Sequence, residues 1–110
     1  LYGNIETYEY AAVIVENGTA TAYVKAGDIG SIAPGMSVNI GGIRDNGTVR
    51  EVKKNPVEIT GNFDAYAMET GGMKEGDWYY PVRLKTDAAD GTYESQIVTE
   101  KISPVSFLLN

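Results

Sequence analysis

Histidine and cysteine are both absent from the 110 residues, and with them go the commonest general base, the commonest zinc ligands and the thiol nucleophile. A Ser-His-Asp centre, a thiolate metal site and a disulfide framework are excluded. Basic residues are scarce and scattered: nine Lys and Arg stand against fifteen Asp and Glu, for a net charge of -6. Displacing counterions from a polyanion takes clustered cations, so nucleic acid is not an expected partner. Long apolar runs are missing too. The longest, Ala11 to Val15, is far short of the about 20 residues that cross a bilayer as a helix. The N-terminal part shows no basic start, apolar core or small-residue cleavage site of a signal peptide. The chain begins with Leu1 rather than Met, which gives the expectation of a mature portion or an excised domain. No internal repeat and no low-complexity tract is present.

What remains is the composition of a β protein. Thirteen glycines and eight tyrosines accompany frequent Val, Ile and Thr, and no window keeps a sustained helical spacing of apolar residues. At this length there is room for one domain with one core. The organising stretch is Thr19 to Ile43. Ala20, Ala22 and Val24 alternate with Thr21, Tyr23 and Lys25, the two-residue period of a strand with unlike faces. A helical turn is expected from Asp28, whose carboxylate can cap Ile29 to Ser31. Pro34-Gly35 then reverses the chain, with Gly35 at positive φ if the turn is type II. Met36, Val38 and Ile40 alternate with Ser37, Asn39 and Gly41 on the returning strand.

Upstream, Thr7 to Glu16 reads as a strand buried on both faces at its centre, joined to the next by Asn17-Gly18, a type I′ hairpin signal. Downstream, Arg44-Asp45-Asn46-Gly47 is expected to connect Met36–Ile43 to Thr48–Lys54, with a bulge near Arg50 and Glu51 because Val49 and Val52 are out of phase. Val57 to Thr60 and Asp64 to Glu69 read as short strands, and Thr70 to Gly76 as a loop. Trp78 to Thr86 alternates again, with Trp78, Tyr80, Val82 and Leu84 opposite Tyr79, Pro81, Arg83 and Lys85. Pro81 argues for an edge position. Asp87 to Thr92 is a turn and Tyr93 to Lys101 the last strand. The expected fold is a single small antiparallel β-barrel of six or seven strands with one short helical turn.

Catalysis would have to rest on carboxylates, Asp87 with Asp90 or Glu6 with Glu9, and both pairs read more simply as solvated turn and strand charges. Asp87-x-x-Asp90-Gly91 matches part of a calcium loop but lacks the spacing of a complete one. No catalytic residue, cofactor or metal is expected. The tyrosines at 2, 8, 10, 23, 66, 79, 80 and 93, with Trp78, could supply a sugar-stacking or peptide-binding platform, and read more simply as filling half-buried pleated surfaces. The rival reading is an extracellular carbohydrate- or peptide-binding module that uses Trp78, Tyr79 and Tyr80.

The run AYVKAGDIGSIAPGMSVNI resembles the β-barrel domain of HlyD-like periplasmic adaptors, also called membrane fusion proteins. The pattern v-x-A-x-V, D-I-x-x-I, P-G-M-x-V-x-I falls on Ala22, Val24, Asp28, Ile29, Ile32, Pro34, Gly35, Met36, Val38 and Ile40. A looser continuation falls on Gly47, Val49 and Val52, on Tyr80, Val82 and Leu84, and on Gly91, Ile97 to Lys101, Ser103, Pro104, Leu108 and Leu109. One departure is Asp90-Gly91-Thr92, where the family usually writes P-G-M. The feel is closest to adaptors of bacteriocin and peptide exporters. The resemblance implies a non-catalytic domain of a longer adaptor, membrane-anchored and extracytoplasmic. Its partners would be an ABC-type or other inner-membrane transporter and further copies of the full-length adaptor. The isolated domain is expected to be monomeric, with Phe107, Leu108 and Leu109 as a possible partner contact.

Overall fold

A computed structural model of the chain describes residues 5–102; Tyr2, Ser103, Pro104, Phe107, Leu108 and Leu109 lie outside them. The elements are β1 (Ile5–Glu16), β2 (Thr19–Lys25), a 3₁₀ helix (Ala26–Ser31), β3 (Ser37–Ile40), β4 (Ile43–Val52), β5 (Val57–Glu58), α1 (Ala65–Gly71), β6 (Trp78–Thr86) and β7 (Gly91–Ile102). Each strand pairs antiparallel to its neighbours in the order β2-β1-β7-β3-β4-β6, and β2 also pairs with β6, so the ring closes. The expected antiparallel barrel is the result, closed by six strands, with β5 as a seventh strand added beside the start of β6.

Alternation sorts the side chains. Ala11, Val13 and Val15 of β1, Ala20, Ala22 and Val24 of β2, Val38, Ile40, Val49, Val82, Leu84 and Ile97 fill the interior. Alanines on β1 and β2 leave room for the larger side chains opposite, as a narrow barrel requires. The other face of β1 is covered as well: Ala12 packs outside the barrel with Ile59, Ala67, Met73 and Tyr79. Burial on both sides of β1 is therefore explained by a second, smaller core under α1.

The Asn17-Gly18 turn forms as expected, with φ of 52° and 77°, and the bulge falls between Val49 and Glu51. Other readings are corrected. The 3₁₀ helix opens at Ala26 with Lys25 before it and no side-chain cap, so Asp28 lies inside the turn rather than at its start. The β3–β4 hairpin turns at Gly41-Gly42, both at positive φ, with Ile40 opposite Ile43. Two glycines meet the type I′ demand without a Cβ clash, and Arg44 to Gly47 enter β4 instead of forming the connection. There the Asn46 side chain stands in for backbone: its Oδ1 accepts from Ile40 N at 2.7 Å and its Nδ2 donates to Ile40 O at 3.1 Å.

Asp64 to Glu69 is helical, not extended. The Asp64 carboxylate accepts from Ala67 N at 2.8 Å, and Gly72 ends the helix in the left-handed region, a cap at each end that lets a seven-residue helix persist. Thr70 and Gly71 thus belong to α1, and of Val57 to Thr60 only Val57–Glu58 pairs. Pro81 sits in the strand with the most neighbours, not at an edge. Lys53 N donates to Pro81 O at 3.0 Å, and the reciprocal bond has no donor because proline lacks an N–H. The missing bond falls at the break between β4 and β5, where a central strand tolerates it.

Candidate functional site

The family-like corner between β2 and β3 caps one end of the barrel. Ile29, Met36 and the buried Ile32 pack against the interior cluster. Gly35 has a φ of 94°, with Met36 N donating to Ala33 O at 3.4 Å, as a Pro-Gly type II turn requires. Gly35 N to Val49 O and Val49 N to Met36 O, both 2.8 Å, fasten the corner to β4. Asp28 is exposed, and Ser31 Oγ donates to its carbonyl. Gly47 is buried, and a Cβ there would lie 2.8 Å from Ile40 Cδ1, so the packing leaves no room for a side chain. Gly91 opens β7.

The carboxylates settle elsewhere than the pairs suggest. Asp90 accepts from Asn17 N (3.0 Å) and Gly18 N (3.4 Å), which clamps the β1–β2 turn. Glu6 pairs with Arg44 at 2.9 Å and accepts from Tyr8, while Glu9 meets Asp28 of the corner. Partial burial, followed by the Asp28 charge and its hydrogen bond, holds the Glu9 carboxyl above its ordinary range; Lys25 opposes this. Among the described residues, no group of three or more acidic side chains is placed to hold a metal.

The aromatics divide. Tyr79 is buried in the outer core, whereas Trp78 is 50% exposed on the opposite side of β6 and Tyr80 is half-buried beside β2. The three do not share a face. Tyr23 meets Phe63 edge-on at 5.0 Å, and Tyr93 donates its hydroxyl to Ala89 O. Two more of the tyrosines named from the sequence meet here, a pairing that spacing does not show: Tyr10 on β1 and Tyr66 on α1 flank a groove of about 540 Å³ over β7 and β3, with Glu94, Gln96 and Asn39 among its lining. Asn39 keeps the polar phase of its strand's alternation, so only its burial sets it apart, and that is not visible in the pattern.

Against protein-family models, curated proteins and solved structures, the chain gives no match.

Proposed function

We propose that the chain is a non-catalytic structural domain of an HlyD-like secretion or efflux adaptor. In the intact, membrane-anchored protein it lies outside the cytoplasmic membrane and packs against an ABC-type or other inner-membrane transporter and against copies of itself. Together these form an export conduit. The corner is the observation that carries this reading: Asp28, Ile29, Ile32, Pro34, Gly35 and Met36, the most specific part of the resemblance, fall together in one unit that caps the barrel. Two further features support it. A closed ladder gives a stiff body with few edges open to unwanted pairing, and Ile5 pairs opposite Ile102, so a neighbouring module on either end attaches at the same side. The role is mechanical, with no bond made or broken.

The rival module reading asks Trp78, Tyr79 and Tyr80 to act as one platform, and no geometric observation favours that. Affinity purification of the full-length gene product from detergent-solubilised envelope tests the proposal. Co-purification of a transporter subunit and of further adaptor copies is expected; recovery as a lone soluble protein refutes it.

A further inference from the structure

We propose that the outer face of β1, β7 and β3 is a binding groove for a neutral saccharide, a property independent of the adaptor reading. The groove, about 540 Å³, has the size of small-ligand sites. Tyr10 is 71% exposed and Tyr66 54% exposed. They come from different elements, β1 and α1, and rim the same hollow. Exposed aromatic faces are costly to leave in water and suit the C–H face of a pyranose ring.

The floor is polar, with Asn39, Glu94 and Gln96 in it. Asn39 is fixed by accepting from Asp45 N at 2.7 Å, and its Nδ2 points to Gln96 Oε1 at 3.4 Å. That contact occupies the Gln96 oxygen and leaves its NH₂ group without a partner among the described residues, as is the Glu94 carboxylate. A donor and an acceptor two residues apart on one strand face match adjacent sugar hydroxyls, each of which both gives and takes a hydrogen bond.

Two other ligand classes fit worse. No Lys or Arg lines the groove and Glu94 does, so phosphates, nucleotides and uronic acids meet only repulsion. An extended peptide needs a free strand edge. Beneath the groove β7 is already paired on both sides, Gln96 with Tyr10 and with Asn39.

The test is a titration of the ¹⁵N-labelled 110-residue chain with chitotriose, with maltotriose and with trigalacturonate as the charged control. At least one neutral trisaccharide is expected to shift the amides of Gly41, Glu94 and Gln96 saturably, and trigalacturonate none. Tyr10→Ala and Tyr66→Ala, both at exposed positions, should each weaken binding about tenfold while leaving the rest of the amide spectrum in place. Absence of shifts with both neutral sugars overturns the proposal. So do shifts centred elsewhere, shifts unaffected by both tyrosine substitutions, or equal binding of trigalacturonate.

Discussion

Replacing Asn46 tests whether a side chain completes the barrel ladder. Its amide makes two hydrogen bonds to the backbone of Ile40, at 2.7 and 3.1 Å, and Ile40 is 1% exposed. The Asn46 carbonyl is itself held by Thr86 Oγ1 at 2.7 Å, so the position is tied on both sides. Asn46→Ala removes both bonds, each worth about 0.5–1.5 kcal/mol net, and leaves two Ile40 groups unpaired at the edge of the core, which places the loss at about 2–4 kcal/mol. With a urea slope of about 1.5 kcal/mol/M, the midpoint should fall by about 1.3–2.7 M. Asn46→Asp keeps an acceptor for Ile40 N but turns a carboxylate oxygen toward Ile40 O. Its folded pKa is thereby raised, so the loss should be at least as large at neutral pH and shrink in acid as the carboxyl protonates. An Asn46→Ala midpoint within about 0.3 M of the parent would refute the reasoning, since that is the scale of an ordinary surface change.

Gly35→Ala should destabilise by about 1–2 kcal/mol, lowering Tm by about 4–12 °C; nothing lies within 4 Å of the added Cβ, so the effect is the strain of φ 94° alone. Gly27→Ala, equally open but without positive φ, should be neutral or slightly stabilising, and identical melting points for the two variants would contradict this. Glu9→Gln should stabilise at neutral pH and converge with the parent in acid. Burial and Asp28 raise the folded pKa of Glu9, so its relative stabilisation is present below the unfolded value and is lost as pH rises through the folded one. A glutamine variant weaker than the parent at neutral pH in urea titrations contradicts that sign. The isolated chain should sediment as a monomer at tens of micromolar, since a charge of -6 gives no attraction between copies and its field is screened beyond about 8 Å; a discrete trimer or hexamer would oppose this while favouring the adaptor reading.

Features governed by one residue's backbone demand were legible: Asn17-Gly18, Pro34-Gly35 and the phase slip at Val49 and Val52 all lie where expected. Where two segments meet the same demand, the pattern does not decide between them. Gly41-Gly42 and Asp45-Asn46-Gly47 both tolerate left-handed backbone, and the choice was made by pairing of Ile40 with Ile43 and by the Asn46 amide, neither visible in a pattern. Helix α1 is too short to show a period, and it persists through its Asp64 cap and the burial of Ala67 against the outer core. The rule that puts proline at an edge holds for uninterrupted sheets, whereas beside Pro81 the partner strand itself breaks. The groove between Tyr10 and Tyr66 is not legible in the sequence because Tyr10, Tyr66 and Gln96 are remote from one another and meet only through the β1–β7 pairing and the seat of α1.

The adaptor reading is tested most directly by site-specific photo-crosslinking in living cells, with the probe at Ile43, Val57 or Trp78 of the full-length protein, three exposed apolar positions on the barrel. Adducts to an inner-membrane transporter subunit or to a second adaptor copy are predicted from at least one site. Transporter-free and self-free labelling at all three, in cells where export proceeds, would contradict it.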